Sequence, residues 1–304
     1  MSGHSGHTYG DYALIMSKLY NNFKTALLLG VLTGLILFVG HLIGGSTGVL
    51  IALALAGVMN FVAFFFSDKI ALASMGAYEV GPDHELHQIT AQLAQRAGLP
   101  MPRVYVAPTD APNAFATGRS PKKAAVCATE GLLRVLSRDE VAGVMAHELA
   151  HVKHRDTLIT TVAATIGGAI SYLGYMLMWG GGSSDEDGHS ANPLAGLLIL
   201  ILGPIAAGLI QAAISRSREY AADTEGGAIA GDPMHLASAL EKLHLYSKQI
   251  PVTTSPAYNS MFIVEPLNAF GGSVANLFST HPPLEKRLQN LIGRETTGMF
   301  RYAV

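Results

Sequence analysis

The chain has 304 residues, of which 49% are hydrophobic and only 14% charged, with a formal net charge of -2; an ordinary soluble domain carries roughly 25% charged residues. So apolar a composition excludes an intrinsically disordered chain, and the lack of a basic excess argues against a nucleic-acid binder. The single cysteine, Cys127, excludes an internal disulfide framework and a cysteine-built zinc cage.

In chain order, the Gly- and Ser-rich start Met1–Gly10, with His4 and His7, reads as a flexible tail. Three stretches then lack Asp, Glu, Lys and Arg: Thr25–Ser67, with 43 residues, and Thr157–Ser184 and Gly188–Ser215, with 28 each. A transmembrane helix takes about 20 mostly apolar residues. The turn signal Gly44–Gly48 divides the first stretch into spans at about 25–43 and 49–66. Gly180–Ser184 and the acidic run Asp185–Asp187 separate two more, at about 158–179 and 193–214. His41, near the end of its span, reads as a neutral side chain reaching the interface. Of the twenty Lys and Arg residues, two precede the first span, ten lie between the second and third, and eight follow the fourth. The two short loops have none, so the positive-inside rule puts both termini and both polar blocks on the cytoplasmic side. The predicted organisation is a tail and hairpin over 1–67, a first cytoplasmic half over 68–157, a second hairpin over 158–214, and a second cytoplasmic half over 215–304.

Within the first half, Leu86, Ile89, Leu93 and Ala97 make one helix face over Glu85–Gly98. Arg103–Val106, Asn113–Thr117 and Ala124–Ala128 read as short strands, and Gly131–Val135 as a short helix or turn. Ser137 followed by Glu140 is a capping box opening the next helix. In the second half, Arg216–Ala230, Pro233–Tyr246 and Pro283–Leu291 read as helices, with an irregular stretch over Gln249–Asn276.

The capped helix contains His147-Glu148-Leu149-Ala150-His151. Four residues separate the histidines, so they stand about 40° apart around a helix and one turn along it, and both rings can reach one metal ion. Glu148 lies beside the pair and can take a proton from a water that zinc has acidified. A catalytic zinc needs a third protein ligand. His154 reads as a helix-end residue, and the histidines of His84-Glu85-Leu86-His87 are three apart, the wrong spacing. The better source is Ser215–Asp223, where Glu219 and Asp223 share a helix face. Glu219 can ligate while Asp223 holds a ligating histidine; Asp223 as ligand is the lesser alternative.

Several segments together resemble the HtpX-type membrane metalloproteases, relatives of the CaaX prenyl proteases. They are the two N-terminal spans, Asn113–Gly118, His147–Thr157, the second hairpin, Ser215–Asp223 and Ser279–Pro283. The resemblance implies a mainly α membrane protein, with four transmembrane helices and a cytoplasmic α+β gluzincin-like domain holding a small β-sheet. It implies one Zn2+ per chain on His147, His151 and Glu219, with Glu148 as catalytic base. It implies His281 as an oxyanion stabiliser and Asn113, Ala114, Phe115 and Ala116 as an edge strand that pairs with an extended substrate. It further implies cleavage of misfolded or damaged membrane proteins at the cytoplasmic face of the bacterial inner membrane, in quality control and stress response. The partners would be protein substrates and the lipid bilayer; the oligomeric state is open.

Spacing adds one expectation of its own. His151 precedes Leu158 by seven residues and Glu219 follows Ile214 by five. Continuous helices would hold the ligands roughly 8–11 Å from the hydrophobic boundary. Two other functions fit less well. A metal transporter would carry polar pathway residues within its spans, and an inactive scaffold would not keep both the ligand set and Glu148.

Overall fold

The structure, a computed structural model, describes residues 7–166, 216–247 and 282–297. Helix α1 covers His7–Ser74 and is broken at Gly45, whose φ of 56° and ψ of -138° no helix accommodates. The break falls inside the Gly-rich turn signal, where a residue without Cβ adopts positive φ at low cost. Asn60 Nδ2 donates to Thr33 Oγ1 at 2.7 Å, and Ala63 of the second arm shares an apolar cluster with Leu29 and Ile36 of the first. Such contacts between residues far apart in sequence require the two arms to run antiparallel as a hairpin. The second arm, Gly45–Ser74, is long and apolar enough to cross a membrane. It continues past residue 66 and bears exposed Leu50, Ile51, Leu53, Leu55, Val58, Phe61 and Phe65. Among the described residues it is the one helix that meets that length and composition. The span at 193–214 and most of the span at 158–179 lie outside the described residues.

After the hairpin come β1 (Tyr78–Glu79), α2 (Glu85–Ala97), β2 (Arg103–Ala107), β3 (Ala114–Thr117), β4 (Ala125–Thr129), α3 (Glu130–Val135) and α4 (Arg138–His154). His84 is the N-cap of α2, its Nδ1 accepting from the Leu86 N–H at 3.1 Å. That is a backbone role for a histidine in a sequence that imitates the metal motif. The sheet order is β1-β2-β4-β3, with β2 and β4 parallel and both outer pairs antiparallel. β1 has two residues, too few for any periodicity to show in the sequence.

The sheet forms a layer between two sets of helices. Side chains alternate between faces along a strand. Val104, Val106, Ala114, Ala116, Val126 and Ala128 join the core that α2 and α4 build. Tyr105, Ala107, Phe115, Ala125 and Cys127 turn the other way, onto Ala71 and Leu72 of α1 and onto Ala164. Coverage on both faces explains why these strands read as nearly unbroken apolar runs.

Ala164 belongs to α5, described over Thr157–Ile166. The expected continuity of the motif helix into this segment does not hold. Arg155 adopts φ 61° and ψ 36°, a left-handed cap whose N–H turns back to His151 O and Val152 O. A non-glycine residue held there costs of order 1–3 kcal/mol, and the result is a corner between α4 and α5. The remaining helices are α6 (Arg216–Ala230), α7 (Pro233–Ser247) and α8 (Leu284–Ile292). They cover α4, which is buried along nearly its whole length.

Candidate metal centre

Helix α4 begins where the capping box requires. Ser137 Oγ accepts from the Glu140 N–H, and Glu140 Oε2 accepts from the Ser137 N–H at 2.8 Å. One α-helical turn separates His147 from His151, and their rings stand edge to face with centroids 4.7 Å apart. Their Nε2 atoms are 3.2 Å apart.

Helix α6 supplies the facing carboxylate. Glu219, Ala222, Asp223 and Gly226 recur at the spacing of one helix face. Gly226 permits the approach: a Cβ there would lie 2.8 Å from His147 Cα, well inside van der Waals contact. With the helices this close, Glu219 Oε2 is 3.7 Å from His147 Nε2, and Oε1 is 3.4 Å from His151 Nε2. One ligand atom from each of the three residues lies within 4.8 Å of the others. A tetrahedral zinc with bonds of about 2.0–2.1 Å has ligand-to-ligand edges of about 3.3–3.4 Å. The spacing and the nitrogen and oxygen donors therefore fit a zinc-sized cation without rearrangement.

Each histidine has its own carboxylate behind the ring. Nδ1 of His147 lies 3.0 Å from Asp223 Oδ1, oblique to the ring. Asp223 is gripped by Arg287 of α8, with Nε donating to Oδ2 at 2.9 Å and Nη2 to Oδ1 at 2.6 Å. Nδ1 of His151 faces Asp156 Oδ2 at 3.3 Å, and Arg218 Nη1 stands 3.7 Å from the other Asp156 oxygen. A carboxylate at Nδ1 favours the proton there and leaves the Nε2 lone pair aimed at the centre.

The electrostatics agree with a cation site. Burial pushes His147 well below its ordinary value, more than Asp223 restores, so the ring is neutral at pH 7. Burial also disfavours charge on His151, but Glu219, Asp156 and Glu148 outweigh it and raise that ring. Burial alone would raise Asp223, yet the Arg287 guanidinium takes it down to about 2. Glu219, Glu148, Asp223 and Asp156 are all buried here, so the pocket holds an anionic surplus that a metal ion neutralises.

Glu148 is buried on α4 next to His147, and its charge acts on both His151 and Arg287. Ala114–Thr117 is the terminal strand of the sheet and pairs with β4. Its residues and Asn113 are buried, and the Asn113 N–H donates to Thr129 Oγ1 at 2.9 Å. His281 lies outside the described residues. His154 closes α4, apart from the three converging residues. Sequence spacing missed Asp156 and Arg287. Asp156 needed the left-handed corner at Arg155, which no glycine announced, and Arg287 meets Asp223 across 64 residues.

The profile of peptidase family M48 matches residues 81–295. The chain is 52% identical over 287 residues to a Paraburkholderia phytofirmans protein named "Protease HtpX homolog", covering 93% of this chain and all of the relative. It is 52% identical over 277 residues to the Desulforapulum autotrophicum protein of the same name, covering 89% of each. A solved structure, S. mikatae Ste24p, matches with a TM-score of 0.49 and 18% identity over 91% of this chain and 67% of that one, a likeness too distant to extend the reading. The M48 match and relatives about half identical over nine-tenths of its length show that this chain belongs to peptidase family M48, as a membrane metallopeptidase of the HtpX type.

Proposed function

We propose that the chain is a zinc endopeptidase embedded by four spans in the bacterial inner membrane, cutting misfolded or damaged membrane proteins at the cytoplasmic face. The convergence of His147 Nε2, His151 Nε2 and a Glu219 oxygen, with Glu148 buried beside them, carries this reading. These three residues would hold the zinc, which when bound supplies a Lewis acid for the scissile carbonyl and lowers the pKa of the attacking water. Glu148 takes the proton of that water on its carboxylate. Asp223 and Asp156 hold the two imidazoles in the tautomer that ligates, and the buried Arg287 keeps Asp223 ionised.

An extended substrate would pair with β3, the terminal strand of the sheet, along Asn113–Ala116, as an added strand. His281 would stabilise the developing oxyanion. Confinement of all twenty Lys and Arg residues to one side of the predicted spans supports cytoplasmic chemistry.

Substitution Glu148→Gln tests the mechanism. Zinc per chain should stay at wild-type level while cleavage of an unfolded membrane-protein substrate in proteoliposomes falls by at least about a hundredfold, as loss of a general base entails. Cleavage at the wild-type rate would remove Glu148 from the reaction.

A further inference from the structure

The connection between β3 and β4 presents a surface that the peptidase reaction does not use. In five residues, Arg119-Ser120-Pro121-Lys122-Lys123, it carries three cations, all exposed. Among the described residues none of the three has an acidic partner. In the same half, Arg134 pairs with Asp110, Arg138 with Glu85 and the half-buried Lys153 with Glu225.

This loop is held in place. Gly118 turns with φ 119°, and a Cβ there would lie 2.4 Å from Lys123 O, so the two ends of the loop are in contact. Pro121–Lys123 forms a 3-10 turn. The Gly118 carbonyl accepts from Thr157 Oγ1 at 2.7 Å, and Thr117 Oγ1 meets Thr161 Oγ1 at 3.0 Å. The loop is therefore fastened to the start of α5, an apolar helix.

Its height relative to the hairpin follows from ring contacts. The Arg119 guanidinium lies 5.0 Å from the centre of Phe65, and Lys69 Nζ 5.4 Å from that of Phe66. Those two rings end the exposed apolar face of the second arm. The pairing of Thr33 with Asn60, carried to the open end of the hairpin, sets Lys24 opposite Lys69. Lys24 Nζ lies over Tyr20 at 4.5 Å. Cations resting on aromatic rings at the end of an apolar face mark a bilayer interface, with amine and guanidinium groups turned to the headgroups.

We propose that Arg119, Lys122 and Lys123, with Lys69 beside them, form a binding site for anionic phospholipid headgroups. Charge complementarity selects the anionic lipid, and the neighbouring exposed rings select a membrane over a soluble polyanion. The proposal rests on α1 lying in the bilayer. Because β3 runs directly into the loop, headgroups held there set the height of that strand above the membrane.

The test uses the full chain with Ser120→Cys, a position whose side chain makes no capping hydrogen bond. Cys127 is buried and its thiol is pushed up to about 12, so a fluorophore attaches at residue 120. The labelled protein is reconstituted in phosphatidylcholine vesicles containing the same minor fraction of brominated phosphatidylglycerol or brominated phosphatidylcholine. Quenching by the anionic lipid should be stronger by at least about twofold, and R119Q/K122Q/K123Q should remove the difference. Equal quenching by the two lipids, or a preference that survives the triple substitution, overturns the site. A second label at Leu55→Cys separates the two claims. Quenching at 55 without lipid preference at 120 rejects the headgroup site alone, whereas no quenching at 55 by either lipid rejects the membrane placement of α1.

Discussion

The two histidines of the centre sit on one helix but are supported in opposite ways. Behind His147, Asp223 and Arg287 form a closed, bidentate pair with side chains 0% and 3% exposed. Behind His151, Asp156 and Arg218 stand farther apart, at 3.7 Å, at a helix corner where His151 itself is 15% exposed. The first support joins α4, α6 and α8, elements distant in sequence. The second joins Asp156, brought round by the left-handed corner at Arg155, to Arg218 of α6. Burial decides how much a supporting charge matters. A buried charge without its partner is penalised heavily, whereas a charge near water is partly relieved by it.

The sharpest way to break this comparison is to remove Arg287. Arg287→Met leaves the Asp223 carboxylate buried without its guanidinium and should destabilise the fold by about 3–5 kcal/mol. Chemical denaturation of the purified protein checks this, and adding Asp223→Asn should restore part of the loss. Arg218→Met, at the looser pair, should cost less than Arg287→Met in the same measurement.

Metal affinity should show the same asymmetry. Loss of a carboxylate behind a metal-binding histidine weakens binding by about 10- to 100-fold. Competition with a chelator should place Asp223→Ala near the upper end and Asp156→Ala near the lower end. Equal losses would mean that burial does not distinguish the two supports.

Gly226→Ala probes the helix contact that the two supports share. Its methyl group would meet the His147 backbone and should cost about 1–3 kcal/mol through overpacking. Metal binding should fall together with stability, because α6 carries Glu219.

The smallest effect is a control on α4 away from the metal. Burial raises Glu140, but hydrogen bonds from Lys242, Ser238 and the Ser137 N–H outweigh it, and the carboxyl sits below its ordinary value. A depressed folded pKa contributes stability above the unfolded value near 4.3 and loses it as pH falls through the folded one. The stability gap between wild type and Glu140→Gln should thus be full at pH 6 to 7 and shrink below about pH 4. A gap that widened on acidification would reverse the assigned sign.

Much of this protein was legible before its structure. The hairpin break at Gly45 lies in the Gly44–Gly48 signal, the capping box starts α4, and beyond the hairpin the strand and helix positions, β1 excepted, follow hydrophobic spacing to within a residue or two. The four-residue interval of His147 and His151 put two rings on one helix face. All of these are properties of neighbouring residues, set by helical and strand periods and by turn chemistry. The expected roles, Glu219 at the metal and Asp223 behind a histidine, did not follow from spacing, because the two residues share one face. The crossing of α4 and α6 decided them, through the space that Gly226 leaves open. Asp156 and Arg287 were equally hidden: one depends on a non-glycine residue turning left-handed, the other on contact across 64 residues. By itself the sequence determined what repeats along the chain, namely the apolar lengths, the distribution of charge and the metal motif. Tertiary structure alone decided which charges neutralise one another, because only packing at a distance can remove both partners from water.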